Sequence, residues 1–270
     1  MPPAPRAKKS LGQHFLRAPD ICRKIVDALH AGPGDCVLEI GPGPGALSDL
    51  LVALPLKRLL MVEKDDHWAG QRQQAAPPHA QVLLMDALTF DWTRITPERP
   101  WKLIGNLPYN VASPLIWDCV SQAGGLARAV FMVQREVCDR ICAPPGSKTY
   151  GALSVWVQSF ARPRRLFVVG PGCFSPPPRV DSAVFSLEPL PPEQRPRHPD
   201  GLAWFIKLCF QGRRKQLGTL LRQHGLDAGA DACRQCGIAP TRRPETLAPQ
   251  DFQQLVAFFA DITLDFPWQT

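Results

Sequence analysis

Residues 36–45 read Cys-Val-Leu-Glu-Ile-Gly-Pro-Gly-Pro-Gly, and this stretch decides the fold. Its first half is a short, largely apolar run that is typical of a buried strand. Gly41, Gly43 and Gly45 then let the backbone turn sharply and leave room for a ligand against it. Because the spacing is G-x-G-x-G, without the G-x-G-x-x-G of a pyrophosphate loop, it favours a cofactor without phosphates over NAD. An ordinary glycine-rich turn is the alternative interpretation.

Apolar, β-branched runs alternate with helical patterns through the first 190 residues. This alternation predicts a doubly wound α/β domain, in which helices cover a mostly parallel sheet. We expect the last two strands to form an antiparallel hairpin at one edge. The predicted strands are 36–40, 59–63, 81–85, 103–106, 129–133, 166–169 and 183–187, and the predicted helices are 20–30, 47–54, 114–122, 136–142 and 151–160.

The composition changes near residue 190 and divides the chain. Residues 1–190 are predicted to form the α/β domain, with a basic tail at 1–10, and residues 191–200 a linker rich in Pro, Glu, Gln and Arg. Apolar residues at helical spacing follow, so 201–270 are predicted to be a small helical domain.

Charge and cysteine content narrow the class of protein. Lys and Arg outnumber Asp and Glu by 31 to 24, a net charge of +7, which makes a polyanionic partner plausible. The nine cysteines are scattered along the chain, as expected for reduced thiols in a cytoplasmic protein.

The sequence predicts neither a membrane helix nor a metal site. No apolar run approaches the roughly 20 residues of a membrane helix, so we expect a soluble protein. Cys233 and Cys236 have no second ligand pair at metal-binding spacing, and no metal is expected.

Two acidic side chains are predicted to follow the glycine loop, residues 41–45, along the same sheet edge. Glu63 ends the second predicted strand, about twenty residues beyond the loop, where a carboxylate can accept bonds from ribose hydroxyls. Asp86 follows the third strand and can meet an adenine amino group. Both could instead be solvated carboxylates at strand ends.

The fourth predicted strand ends in Asn106-Leu107-Pro108-Tyr109. The amine of adenine is a poor nucleophile because its lone pair is delocalised into the ring. The Asn106 side-chain oxygen and the Leu107 carbonyl can each accept an amine hydrogen, which favours a tetrahedral nitrogen. Pro108 fixes the turn, and Tyr109 offers a face on which a base can stack. A plain proline turn with a buried tyrosine is the alternative.

These motifs resemble those of the small-subunit ribosomal RNA adenine dimethyltransferase family (KsgA-type), and the resemblance runs along nearly the whole chain. It implies a Rossmann-like methyltransferase domain that uses S-adenosylmethionine and methylates two adjacent adenosines in a hairpin loop near the 3′ end of 16S rRNA. The matching segments are 9–16 (KSLGQHFL), 39–45 (EIGPGPG), 106–110 (NLPYN), 134–137 (QREV), 147–151 (SKTYG), 174–183 (FSPPPRVDSA), 210–215 (FQGRRK) and 243–247 (RPETL).

The resemblance also implies roles for single residues. His14, Leu16, Gly41, Gly43, Glu63, Asp86 and Asn106 would bind the cofactor, and Asn106 would also bind the target. His14 stands where most members of the family carry asparagine. Phe174 would sandwich the target base opposite Tyr109, which offsets part of the cost of unstacking it from the RNA.

Basic residues are predicted to hold the RNA: Lys8, Lys9, Arg213, Arg214 and Lys215. The expected partner is small-subunit rRNA or a pre-assembled small subunit, bound by a monomer. Three alternatives stay open: methylation of one adenine of large-subunit rRNA, an assembly factor whose binding matters more than its catalysis, and an NAD-dependent oxidoreductase.

Overall fold

A computed structural model describes residues 13–226 and 228–262 of the chain. Lys8 and Lys9, and with them the predicted basic tail, lie outside the described residues. Within the described part the chain divides into two compact units, the first made of 13–138 and 163–189 and the second of 139–162 and 190–262.

The first unit is built on a central sheet. In chain order its elements are β1 (Phe15–Leu16), α1 (Pro19–Ala28), β2 (Cys36–Ile40), α2 (Ser48–Val52), β3 (Arg58–Glu63), α3 (Asp66–Ala75), β4 (Ala80–Leu84), β5 (Trp101–Asn106), α4 (Ala112–Gln122) and β6 (Leu126–Gln134). After α5 (Arg135–Ile141) and α6 (Ala152–Phe160), the chain returns with β7 (Ala161–Val169), β8 (Phe174–Ser175) and β9 (Ser182–Pro189).

The seven-stranded sheet has the order β4-β3-β2-β5-β6-β9-β7. The pairs from β4 to β6 are parallel, and β9 pairs antiparallel with β6. The predicted α/β fold is thereby confirmed, and β9 and β7 are neighbours at one edge as expected. A separate two-stranded sheet pairs β1 with β8.

Sequence reasoning missed helix α3. Its ten residues, DHWAGQRQQA, carry few apolar side chains, of which Trp68 and Ala69 are buried. The sequence signal that could have identified this helix is Asp65, because Asp is a preferred N-cap residue. Its carboxylate accepts a hydrogen bond from the His67 backbone N–H at 3.1 Å.

The pairing of β2 with β5 brings two loops together. Ile40 lies opposite Gly105 in this parallel register, so Gly41 and Asn106 follow side by side. A Cβ at Gly105 would stand 2.7 Å from the Ile40 carbonyl oxygen, which is closer than side chains come to backbone. The close approach of the two strands at this point therefore requires glycine.

A carboxylate is buried in the same strand. Glu39 is 1% exposed, and its Oε2 has no hydrogen-bond partner among the described residues. Burial raises the pKa of Glu39 to about 7, although the Ser48 hydroxyl and the Arg72 guanidinium oppose this. The folded state therefore binds the proton of Glu39 more tightly than the unfolded state does.

The second unit is helical. Its main helices are α6, α7 (Pro199–Gln211), α8 (Leu217–Gln223), α9 (Gly229–Gln235) and α10 (Pro249–Ile262). Phe205 is fully buried, and its ring centroid lies 6.2 Å from that of Phe252 and 6.1 Å from that of Phe259. Helix α7 begins at Pro199, inside the segment that the sequence assigns to a linker.

Residues 139–162 belong to this helical unit, which differs from the continuous division near residue 190 drawn from the sequence. Helix α6 packs against α7 and α10. Tyr150, which is fully buried, donates its hydroxyl to the Leu247 carbonyl at 2.8 Å. Such contacts join segments that are distant along the chain, so composition alone does not reveal them.

Replacing Gly105 with Ala should lower the free energy of unfolding by about 1–3 kcal/mol, because the new methyl group overlaps the Ile40 backbone. Urea denaturation measures this. Gly70→Ala is the matched control, since a Cβ there meets no atom within 4 Å, and it should be neutral or stabilising. Equal effects of the two variants would contradict the steric argument.

Glu39→Gln should remove a pH dependence of stability. The folded-state pKa of Glu39 lies above its ordinary value of 4.5, so the folded state binds more protons than the unfolded state between pH 4.5 and about 7. The wild-type free energy of unfolding should therefore fall relative to that of the variant as pH rises through this window, by an amount on the order of 3 kcal/mol. A constant difference between pH 4.5 and pH 8 would show that Glu39 does not titrate there.

Candidate active site

The glycine loop forms one wall of a cavity at the carboxyl ends of the strands. Gly41, Gly43 and Gly45 have φ angles of 68°, 51° and 101°, in the left-handed region that favours glycine. A Cβ at Gly41 would meet no protein atom within 4 Å, so this part of the loop leaves open space. The cavity is lined by Gln13, His14, Phe15, Leu16, Glu39, Ile40, Gly41, Pro42, Gly43, Pro44, Ala46, Leu47, Val62, Glu63, Lys64, Met85, Asp86, Ala87, Asn106, Leu107, Pro108, Tyr109, Asn110, Val111 and Leu115.

Glu63 joins the end of β3 to the glycine loop. Its Oε2 accepts a hydrogen bond from the Gly43 N–H at 2.9 Å, and its Oε1 accepts one from the Asp65 N–H at 2.8 Å. Burial raises the pKa of Glu63, while these N–H donors oppose the rise. The carboxylate is thus held in place on the cavity wall, where its remaining lone pairs can accept hydrogen bonds from vicinal hydroxyls.

Asp86 lies two residues beyond β4, on the same wall. Its Oδ2 accepts a hydrogen bond from Lys64 Nζ at 2.6 Å, and its Oδ1 caps a short 3₁₀ turn through the Leu88 N–H at 3.0 Å. The bond from Lys64 is the main cause of the lowered pKa of Asp86. Asp86 is therefore ionised at neutral pH, and its carboxylate can accept a hydrogen bond from an amino group.

Asn106 ends β5 with its amide turned across the cavity. Its Nδ2 donates to the His14 carbonyl oxygen at 2.9 Å, which orients the amide and leaves the oxygen at its other end as an acceptor. The Leu107 N–H donates to the Met132 carbonyl at 3.0 Å. The Pro108 carbonyl accepts from the two N–H groups that open α4, so the turn is tied at both ends.

Tyr109 is a half-buried side chain on this wall. Its hydroxyl lies 2.7 Å from the hydroxyl of Ser182, and its ring stacks on His14 with centroids 5.5 Å apart and planes at 29°. Burial raises the pKa of Tyr109, so the phenol stays neutral at physiological pH. The side chain can therefore present a neutral aromatic face.

Residues 13–16 line the cavity. His14 Nδ1 donates to the Pro176 carbonyl at 2.9 Å, and Gln13 Nε2 donates to Asp65 at 3.2 Å. Phe15 lies against Gly43, where a Cβ would come within 3.3 Å of its ring. Leu16 is 4% exposed and lines the cavity. The segment thus contacts both the glycine loop and the turn that carries Asn106.

Phe174 does not line the cavity. It is 5% exposed and belongs to the hydrophobic core, where it lies opposite Leu16 in the β1–β8 pair. The structure thus shows Phe174 packed in the core beside Leu16, and its role opposite Tyr109 stays a prediction. The sequence could not reveal this packing, because the direction of a side chain on a two-residue strand depends on a partner strand far away in the chain.

Sequence reasoning also missed Arg72. This residue of α3 donates from Nη1 to Asp49 at 2.6 Å, and its guanidinium lies against Gly45, where a Cβ would overlap it. A side chain at position 45 would force this guanidinium to move, and the positive φ of Gly45 itself favours glycine there. Arg72 could not be identified because α3 itself was not predicted.

The predicted basic residues of the second unit differ in their surroundings. Arg213 Nε donates to Glu245 at 2.6 Å and its Nη2 donates to the Lys148 carbonyl at 2.7 Å, so Arg213 links segments of this unit. Arg214 and Lys215 are exposed. Of this basic run, these two are the residues best placed to meet a ligand.

In the part of the chain that the structure describes, no three His, Cys, Asp or Glu side chains are grouped as metal ligands. Cys233 is buried on α9 and Cys236 is half-buried, and burial raises the pKa of both thiols. Within residues 13–226 and 228–262, no helix is both long and apolar enough to cross a membrane.

A solved structure with the same fold is the crystal structure of a dimethyladenosine transferase from Plasmodium falciparum. It superposes with a TM-score of 0.77, covering 92% of this chain and 98% of the other, at 24% sequence identity. At this identity the likeness shows the fold alone.

Relatives with higher sequence identity show the family to which the chain belongs. A protein of Oleidesulfovibrio alaskensis named ribosomal RNA small subunit methyltransferase A is 54% identical, over 93% of this chain and 91% of the relative. A protein of the same name from Nitratidesulfovibrio vulgaris is 53% identical, over 92% and 94%. The family model for ribosomal RNA adenine dimethylase matches residues 4–261. With a family model that spans almost all of its length and relatives that are more than 50% identical over the aligned residues, this chain belongs to the ribosomal RNA adenine dimethylase family.

Proposed function

We propose that this chain is an S-adenosylmethionine-dependent dimethyltransferase that modifies the exocyclic amines of two adjacent adenosines in a hairpin loop near the 3′ end of 16S rRNA. The observation that carries the proposal is that Asn106 and Tyr109 line the same cavity as Gly41 and Glu63. A site for a methyl donor and a site for a purine are then parts of one slot, as direct transfer between them requires.

The residues on the cavity wall fit S-adenosylmethionine, which when bound supplies an electrophilic methyl group on a sulfonium sulfur. Glu63 would accept hydrogen bonds from the ribose hydroxyls and Asp86 one from the adenine amino group. Gly41 and Gly43 would let the methionine portion lie against the backbone, with His14 and Leu16 closing over the cofactor. Asn106 would contact cofactor and target together.

Asn106 and Leu107 would activate the target amine. The Asn106 oxygen and the Leu107 carbonyl oxygen would each accept one amine hydrogen, which makes the nitrogen tetrahedral and directs its lone pair at the methyl carbon. These acceptors also stabilise the positive charge that develops on nitrogen. The proton leaves to solvent after the new bond forms, so no strong base is required. Pro108 keeps the turn in place, since it fixes φ and has no N–H to compete.

Tyr109 would receive the unstacked base on its ring face. Base–aromatic stacking contributes about 1–3 kcal/mol per base, enough to offset much of the cost of extrusion. A second stacking face from Phe174 would require that side chain to leave the core, so the proposal depends first on Tyr109.

We assign methyl transfer to the first unit and additional RNA binding to the second, through Arg214 and Lys215, with Lys8 and Lys9 of the tail contributing charge. The substrate is small-subunit rRNA, free or within a pre-assembled particle, and the enzyme works as a monomer in the cytoplasm with a role in small-subunit biogenesis.

Mapping dimethyladenosine by mass spectrometry in rRNA from cells with and without the gene tests the proposed function. Modification of large-subunit rRNA instead, or none at all, would refute it.

Asn106→Ala should lower methyl transfer by at least about 100-fold, because the amine keeps only one of its two acceptors. The rate is measured in single-turnover assays on small-subunit particles. RNA affinity and melting temperature should stay close to wild type. A rate within threefold of wild type would rule out the role in activating the amine.

Arg214→Ala with Lys215→Ala should weaken RNA binding and reduce the slope of log K against log salt by about one for each phosphate that is no longer neutralised. Lys57→Ala with Arg99→Ala is the matched control: both side chains are exposed and precede the amino ends of β3 and β5, opposite the cavity edge. Filter binding between about 50 and 200 mM salt measures the slopes. Identical slopes for the two double variants would show that residues 214 and 215 do not contact phosphate.

A further inference from the structure

A hydrogen bond between two side chains lies behind the target-base wall. The Tyr109 hydroxyl and the Ser182 hydroxyl are 2.7 Å apart, and Ser182 is fully buried. Ser182 opens β9, opposite Gln134 of β6. The proposed function gives no role to Ser182.

The strand itself does not call for a hydroxyl at this position. Ala183, Val184 and Phe185 follow Ser182, and all three are fully buried and apolar. A buried hydroxyl is costly unless it is hydrogen-bonded, and Tyr109 supplies the partner. The hydrogen bond to Tyr109 therefore offsets the cost of burying the Ser182 hydroxyl.

The bond holds Tyr109 at both ends. Its backbone belongs to the turn between β5 and α4, and its phenol is held by Ser182, so the two side-chain torsions of the ring have little freedom. On the same wall, His14 stacks on the ring and bonds to Asn106 through its carbonyl and to Pro176 through Nδ1. Ser182 is thus the buried anchor of a connected set that includes the residue proposed to activate the amine.

We propose that Ser182 is a positioning residue for the target base: its hydroxyl fixes the Tyr109 ring as a preformed stacking surface. Ser182 does not itself line the cavity. It acts on the extruded adenine through Tyr109 and leaves the cofactor wall unaffected. This inference rests on the proposed function, since it names what prepares the purine half of that slot.

The test compares Ser182→Ala, Tyr109→Phe and the double variant, each of which removes the same hydrogen bond. Each single change should lower kcat/KM for methylation of small-subunit particles about 3- to 10-fold, the value of one neutral hydrogen bond. The double variant should be no worse than either single one, because the bond can be removed only once. Cofactor affinity, measured by calorimetry, should not change.

Ser186→Ala is the matched control. Ser186 is a buried serine on the same strand, four residues on and therefore on the same face, opposite Val130 and away from the cavity wall. It should leave kcat/KM unchanged. A second readout is the fluorescence of 2-aminopurine placed at the target position of the RNA, which rises when the base leaves the RNA stack and falls when it stacks on an aromatic ring. The fluorescence change on binding should differ from wild type in Ser182→Ala and Tyr109→Phe, but not in Ser186→Ala.

Three results would overturn the proposal: equal kcat/KM for Ser182→Ala and Ser186→Ala, additive losses in the double variant, or a wild-type fluorescence change in both single variants. If Ser182→Ala fails to fold, Tyr109→Phe decides alone, and wild-type activity there overturns the proposal. Failure of the proposed function would look different, because the wild-type protein would then form no dimethyladenosine in the same assay.

Discussion

The parallel pairing of β2 with β5 is the constraint on which the rest of the site depends. It ends with Ile40 opposite Gly105, in a contact too close for any side chain at position 105. The next residues, Gly41 and Asn106, begin the cofactor loop and the target turn. Two chemically different half-sites are thereby held side by side by backbone hydrogen bonds, whose geometry does not depend on the side chains of either loop.

Side chains that stabilise the site come from segments that are far apart in the chain. Arg72 of α3 bonds to Asp49 and lies against Gly45 of the glycine loop, and His14 and Ser182 bond to side chains of the target turn. Each contact removes torsional freedom from a group that the proposed reaction needs in one position, and such preorganisation lowers the barrier without any change in the reacting groups.

The same site contains polar groups that a core built only for stability would lack. Glu39 is buried with one oxygen that has no partner in the part of the chain that the structure describes, and Glu63 and Ser182 are buried beside the slot. Local departures from the rules of core packing are expected at functional sites, where stability is given up for chemistry. That the buried carboxylates Glu39 and Glu63 both line one cavity agrees with the position that the motifs indicate.

The sequence by itself determined the α/β class, the place of the glycine loop and the turn from Asn106 to Tyr109, because strand periodicity and glycine or proline turns are local properties of a few neighbouring residues. Only the tertiary structure decided that Phe174 lies in the core, that Arg213 is tied to Glu245 and that Ser182 meets Tyr109. These outcomes depend on strand register and on contacts between segments distant along the chain. No local sequence pattern determines them, because the same order of residue types along a strand is compatible with either face of that strand turned toward the cavity.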